Sequence, residues 1–356
     1  MINETYDQKI QRAVNHAIPV YAHLELTYRC NEHCIHCYAL ANRTKQKELS
    51  SDEFKSIFDQ LADLGTLYLV MTGGEIFCRG DFFEIAQYAR KKSFALRLFT
   101  NGLSVTPEII SQLVDLNPLR IEISLYGLTP KVHDQITGIT GSFRRTRQAI
   151  DLLLKNNLAL TIKTPVMRSN CGEIIPIKQF ARAHHVEFIS NPTIVPRSDG
   201  SKDNLQYRLS DADLQNYFLQ ANHEWSFKNP NQNGSLCGAG KGMLAVSPYG
   251  DITPCVQLPI KAGNVRNRSL QHLWLQSPEL IKLRSTTLSN FRQCAACPDI
   301  DYCNPCPGLA MVEDGDMLNP CSEACRQARI RRAVFASQKI PLQNSASAQP
   351  IDACVI

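Results

Sequence analysis

The chain has 356 residues, a hydrophobic share of 44% and a formal net charge of +5. Such a length buries a sizeable core and carries two structural units, and so small a charge gives no argument for a nucleic-acid partner. No window approaches the roughly 18 apolar residues of a membrane span, and the polar start from Met1 to Gln11 lacks the apolar stretch of an export signal, so a cytoplasmic protein is expected. Fourteen cysteines would mean disulfides in a secreted chain. Without an export signal they read as metal ligands.

From the N-terminus, Val20, Ala22, Leu24 and Leu26 alternate with more polar neighbours and predict a first strand. Ser50 and Glu53 form a capping box, and Phe54, Ile57, Phe58, Leu61 and Leu64 fall on one helical face. Leu67 to Met71 predicts a second strand, Asp81 to Lys92 a helix and Ala95 to Phe99 a third strand. Thr106 followed by Pro107 starts another helix. Leu119 to Leu125 predicts a fourth strand, Phe143 to Leu154 a helix and Leu158 to Val166 a fifth strand. Ile174 to Ala183 predicts a helix and Val186 to Ile189 a sixth strand. Six repeats of strand and helix imply a parallel sheet with right-handed crossovers, in an α/β fold. The pattern alone allows an open doubly wound sheet or a barrel.

Cys30, Cys34 and Cys37 follow the first strand directly. A 4Fe–4S cluster takes four thiolates when the protein ligates it fully, so three leave one iron open to another ligand. Zinc sites present four ligands, in pairs of short spacing, and fit this triad poorly. Gly73-Gly74-Glu75 follows the second strand. Paired glycines let backbone approach a ligand with no Cβ in the way, and carbonyls with a carboxylate can accept from an ammonium group. Asn101 follows the third strand. Ser124 shares a face of the fourth with Arg120 and Glu122, which predicts a polar wall there. Barrel enzymes place their chemistry at these strand ends.

The cysteine triad and the Gly-Gly-Glu run resemble the radical S-adenosylmethionine (SAM) enzymes. The resemblance implies a partial (β/α)6 TIM-like barrel over residues 1–192. It implies a cluster on Cys30, Cys34 and Cys37 whose open iron chelates SAM, which is cleaved to a 5′-deoxyadenosyl radical. Gly73, Gly74 and Glu75 would hold the methionine amine, and Asn101 and Ser124 the nucleoside or methionine part. Arg145 would reach the methionine carboxylate, although with Arg144 and Arg147 it reads equally as a solvated basic face. His36 stands where the family often has an aromatic residue, and it can pack against adenine.

After residue 192 the alternation stops. Residues 193–236 read as a connection, rich in Asn, Ser, Asp and Gly, with a helix from Asp211 to Asn222. Then come Cys237, Cys255, Cys294, Cys297, Cys303, Cys306, Cys321 and Cys325, and two fully ligated clusters need eight thiolates. Tyr249-Gly250-Asp251 predicts a hairpin that brings Cys237 near Cys255. The run from Cys294 to Cys306, stiffened by Pro298, Pro305 and Pro307, is a dense ligand loop. Zinc ribbons also use Cys-x2-Cys pairs. This stretch, 237–330, resembles the SPASM extension of peptide and protein maturases, which implies two auxiliary 4Fe–4S clusters. The resemblance assigns Cys237, Cys255 and Cys306 to the first and Cys294, Cys297 and Cys303 to the second. It leaves open which of them Cys321 and Cys325 complete. Residues 331–356 read as a polar tail.

Three cysteines remain. Cys78 reads as a packed thiol, and Cys354 falls in the tail. Cys171, after the fifth strand, would be a hydrogen donor at the barrel mouth if it is more than packing. The resemblance as a whole implies a radical SAM oxidoreductase or maturase acting on a peptide or protein, with a flavodoxin- or ferredoxin-type reductant. The twenty or so residues before the first strand are too few for a winged-helix recognition module, so a separate peptide-recognition protein is one expectation and direct binding the other. A small-molecule substrate such as a tetrapyrrole precursor is the alternative. A non-catalytic electron carrier or cluster scaffold is the alternative of another class.

Overall fold

The computed structural model describes residues 4–39, 46–220 and 237–338. The end of the connecting segment, the last two residues of the helix expected to reach Asn222, and the tail with Cys354 lie outside the described residues. Helix α1 (Tyr6–Asn15) leads into β1 (Tyr21–Thr27). Then α2 (Ser51–Asp63), β2 (Tyr68–Gly73), α3 (Phe82–Lys91), β3 (Ala95–Thr100), α4 (Pro107–Leu116) and β4 (Arg120–Ser124) alternate. They are followed by α5 (Pro130–Thr137), α6 (Ser142–Lys155), β5 (Leu160–Pro165), α7 (Ile174–Ala183) and β6 (Glu187–Asn191). The six strands pair in parallel and in sequence order, and β1 does not pair with β6. This is the expected partial barrel.

The strands are buried on both faces. Leu24, Leu26, Leu69, Met71, Leu98, Ile121 and Ile123 point outward into one apolar core with Phe54, Phe58 and Phe82 of the helices. The intervening polar residues of β1, His23, Glu25 and Thr27, are also buried, and they face the barrel interior. Burial of both faces is normal for a parallel sheet under helices. Here it leaves polar residues at the strand ends, Thr72, Thr100, Glu122, Ser124, Lys163 and Thr164, to line a cleft.

Two helices of the first half were not expected. α1 is started by a Thr5–Gln8 capping box, a signal hidden in a polar segment. α5 carries Pro130 at its start and ends on the left-handed Gly138. It is short, and it fills what reads as a loop between β4 and α6.

The second half begins with α8 (Asp211–Gln220). The expected hairpin is present as β7 (Met243–Val246) and β8 (Asp251–Thr253), with β9 (Gly263–Asn264) beyond. What the sequence did not suggest is its position. β7 pairs in parallel with β1, from Tyr21↔Met243 to Leu24↔Val246, so the hairpin continues the barrel sheet. α9 (Leu270–Gln276) and α10 (Pro278–Arg284) follow, and Leu270, Leu273, Trp274 and Leu280 join the barrel's apolar core. The single turns α11 (Arg292–Ala295) and α12 (Pro307–Leu309) bracket the dense cysteine run, and α13 (Ser322–Gln338) closes the described chain, packed on α8. No described helix is long and apolar enough to cross a membrane.

Candidate functional site

The C-terminal ends of the six strands open on one cleft, and Cys30, Cys34 and Cys37 all line it. Their loop is held from three sides. α5 supplies the carbonyls of Thr137 and Ile136 to the amides of His33 (2.9 Å) and Ile35 (3.0 Å). Arg197, paired in two-pronged fashion with Asp203, donates to the Cys37 carbonyl at 2.9 Å. Asn204 donates to the His36 carbonyl at 3.2 Å. Burial pushes the Cys30 thiol up to about 12 and the Cys34 thiol well above its ordinary value. Without a metal these are neutral thiols; a bound iron would supply the positive charge that removes their protons.

Gly73 and Gly74 line the cleft beside the entry to that loop. A Cβ on Gly73 would sit 2.3 Å from the Thr27 carbonyl oxygen, and one on Gly74 would sit 2.3 Å from that of Arg29. Gly73 also has φ +128°, a left-handed conformation that favours glycine. The glycines therefore admit the chain leading into the cysteine loop, which Gly74 N and Glu75 N bind at 2.7 and 2.9 Å. This is a constraint beyond the ligand approach expected from sequence. Glu75 is buried, and its carboxylate accepts from Thr100 Oγ1 (2.8 Å), Asn101 N (2.7 Å) and Phe77 N (3.2 Å). Burial raises it to about 7 against those three bonds. Its carboxylate turns under β3, and the adjoining glycine backbone lines the cleft.

Asn101 and Ser124 both line the cleft. Asn101 Nδ2 donates to Asn31 Oδ1 at 2.7 Å and lies 3.8 Å from Cys30 Sγ, tying the end of β3 to the cysteine loop. Glu122 lines the cleft beside Ser124, as the polar face of β4 predicts. Arg120 of that face departs from the expectation: it sits at the other end of the strand, bonded to Thr161 and paired with Glu187. Arg145 departs too. It is absent from the cleft wall, and its guanidinium donates twice to the Leu103 carbonyl (2.6 and 3.1 Å). His36 lines the cleft edge-on to Tyr126, ring centroids 5.1 Å apart, and burial lowers it to about 4. Cys78 closes the turn after Glu75. Cys171 packs with Val166, Ile174 and the residues of α8, not on the cleft wall.

Several site residues escaped the sequence reading. Tyr28 and Tyr38 line the cleft, and their hydroxyls donate to the two oxygens of buried Glu25 at 2.7 and 2.8 Å. Burial raises the Glu25 carboxyl against those bonds. Deeper in the barrel, Arg97 and Lys163 both pair with Glu122 (2.6 and 3.1 Å), and Lys163 lies 4.1 Å over the Phe99 ring. His23, lowered to about 3 by burial and by these two cations, stays neutral. For Glu25, His23, Arg97 and Lys163 the signal was the polar phase of a strand's alternation; Tyr28 and Tyr38 lie outside the strands and carried no such signal.

The eight cysteines of the second half fall into two groups. Burial raises the thiols of Cys255, Cys294, Cys303, Cys306, Cys321 and Cys325, and neighbouring thiols add to it. Cys306 and Cys237 act on Cys255, Cys237 acts on Cys306, and Cys306 acts on Cys321. Separately, Cys325 and Cys297 act on Cys294, Cys325 acts on Cys303, and Cys297 acts on Cys325. Tyr38 packs against the cluster of Tyr28, Ala39 and Tyr249, as Cys37 does, and against that of Val195, Leu309, Ala310 and Cys321, as Cys306 does. Among the described residues no three His, Cys, Asp or Glu converge on one ion-sized point. Three thiols around a cleft and two sets of four suit iron–sulfur clusters, whose ligands are cysteine thiolates.

The family model of the radical SAM superfamily matches residues 24–181. That of an iron–sulfur cluster-binding domain, SPASM, matches residues 237–298. The chain is 29% identical to the AdoMet-dependent heme synthase of Methanosarcina barkeri, covering 83% of this chain and 93% of that one. It is 29% identical to the antilisterial bacteriocin subtilosin biosynthesis protein AlbA of Bacillus subtilis (81% and 67% covered). It is 26% identical to the mycofactocin maturase MftC of Mycobacterium tuberculosis (91% and 87% covered). In fold it is similar to Streptococcus suis SuiB bound to precursor peptide SuiA, with a TM-score of 0.69 at 16% identity over 91% of this chain and 82% of that one. Its fold also matches anSMEcpe with bound AdoMet, with a TM-score of 0.68 at 15% identity over 90% and 98%. Sequence, fold and donor set agree: the chain is a radical SAM enzyme with a C-terminal SPASM domain, uses a 4Fe–4S cluster, SAM and auxiliary iron–sulfur clusters, and resembles the peptide maturases.

Proposed function

We propose that this enzyme abstracts hydrogen from a peptide or protein and so modifies it after translation. The reading is supported by one arrangement above all, a cysteine triad and a paired-glycine backbone lining one cleft at the strand ends, with Tyr38 reaching from that cleft to the apolar cluster that contains Cys321. The peptide substrate is favoured by the maturase relatives and by the likeness in fold to a peptide-bound maturase. Residues 1–192 would form the radical core, 193–236 the connection, 237–330 the auxiliary domain and 331–356 the tail.

Cys30, Cys34 and Cys37 would hold the cluster that takes SAM. The backbone of Gly73 and Gly74, with Asn101 and Ser124, would position the SAM molecule, and Glu75 and Arg145 would act at one remove by fixing the loops beside it. When bound, cluster and SAM supply one-electron cleavage of the sulfonium and removal of hydrogen from substrate carbon. Cys237, Cys255, Cys306 and Cys321 would ligate one auxiliary cluster, and Cys294, Cys297, Cys303 and Cys325 the other. Within the cleft, the Tyr28 and Tyr38 hydroxyls donate to the two oxygens of buried Glu25 and so fix both rings in the wall. A flavodoxin- or ferredoxin-type protein would reduce the clusters, in the cytoplasm.

The second reading is a tetrapyrrole or similar small-molecule substrate, favoured by the heme synthase whose length this chain nearly spans. Co-expression with short peptides encoded beside the gene, followed by mass spectrometry, separates the two. A mass change in one peptide, lost in Cys30→Ala, supports the maturase. Unchanged peptides, with turnover of an iron-containing or metal-free tetrapyrrole instead, would support the second reading.

A further inference from the structure

Arg331 on α13 is 2% exposed, among the most deeply buried large side chains of the molecule. A buried guanidinium is costly unless opposite charge lies close to it. Its plane sits 4.6 Å over Phe218 of α8, and Nη1 donates to the carbonyl of Tyr302, the residue just before Cys303. The Cys303 thiol in turn lies 3.9 Å from the Ala324 carbonyl, on the helix that carries Arg331. Guanidinium and thiol thus lie on the same side of α13, each tied to it or to the turn at Ile300–Tyr302, and they interact electrostatically. Burial lowers Arg331 to about 10, which leaves it charged at neutral pH.

This inference rests on the reading that Cys294, Cys297, Cys303 and Cys325 ligate a cluster. We propose that Arg331 is a positioning residue for redox poise, whose fixed positive charge favours the reduced state of that auxiliary cluster and raises its reduction potential. The step concerned is the gain of one electron from a low-potential donor, with no bond made or broken. Reduction adds a negative charge to a cluster already anionic with four thiolates, and a desolvated cation beside one ligand stabilises the added charge more than the starting one.

The test is a redox titration with dithionite, followed by electron paramagnetic resonance, on the full-length protein reconstituted anaerobically. The variants are Arg331→Met and Arg331→Lys, each with iron and sulfide counted. In Arg331→Met the oxidised-to-reduced equilibrium of one auxiliary cluster should shift at least tenfold toward oxidised, about 59 mV for one electron. Arg331→Lys should stay near wild type, and the other clusters should not move. If Arg331→Met fails to hold the cluster, Arg331→Gln keeps a donor for the Tyr302 carbonyl and makes the same comparison. A full complement of clusters with unmoved potentials, or equal shifts in the Lys and Met variants, overturns the proposal alone. Cluster loss in every variant, Lys included, assigns Arg331 to folding and also overturns it. Wild-type protein whose iron is unchanged by Cys303→Ala overturns the underlying ligand reading, and the proposal with it.

Discussion

At the scale of single residues, Gly74 decides whether the cysteine loop can form. An Ala there must displace the Arg29 carbonyl, one residue before Cys30, from 2.3 Å. Overpacking of this kind costs about 1–3 kcal/mol, so Gly74→Ala should lower the urea midpoint and bind less iron. Wild-type values for both would mean that the wall yields freely. Glu75 makes a pH prediction. Its native value, about 7, lies above the ordinary 4.5 because of burial. Between those values the native state holds the proton more tightly than the unfolded chain, so this group's contribution to stability falls as pH rises from about 4.5 to about 7 and is flat beyond. Glu75→Gln should remove that component, measured as the difference between wild-type and variant stability across the same range in metal-free protein. A difference that does not vary with pH would show that Glu75 titrates normally.

At the scale of elements, the strands and the longer helices could be read because burial writes their periods into the chain. α7 begins and ends at the expected residues, and α2 carries the expected capping box, with Ser50 Oγ accepting from Glu53 N at 3.2 Å. Ser50→Ala should cost about 1 kcal/mol, read from chemical denaturation. The cost should be no smaller for the clasp that Arg266 makes on Glu53 at 2.6 Å, because that clasp needs Glu53 where the cap puts it. No change in stability would argue that the clasp alone fixes the helix start. α5 was missed because its eight residues are too few to show a period, although Pro130 and Gly138 mark its ends. That omission matters, since α5 carries carbonyls that hold the cysteine loop. The Arg197–Asp203 clamp was equally hidden. Its partner, the Cys37 carbonyl, is remote in sequence, and nothing in local spacing reports a contact across the barrel mouth.

At the scale of the whole molecule, motif spacing announced the cysteines, but not how the chain gathers them. The grouping of Cys321 with Cys306, and of Cys325 with Cys303, depends on where α13 lies against the dense loop, which is tertiary information. The same holds for the hairpin that lengthens the barrel sheet through β1 and β7. If each group is one cluster, Cys255→Ala combined with Cys321→Ala should remove one cluster's iron, and Cys321→Ala combined with Cys325→Ala should remove two. Equal losses in the two double variants would refute the partition.

The central claim is that Cys30, Cys34 and Cys37 hold a cluster that lets this chain split SAM. Anaerobically reconstituted protein, given SAM and dithionite, should release 5′-deoxyadenosine, and Cys30→Ala, Cys34→Ala and Cys37→Ala should each release none. Wild-type protein that takes up zinc but no iron and sulfide, or a triad variant that still turns over, would contradict it.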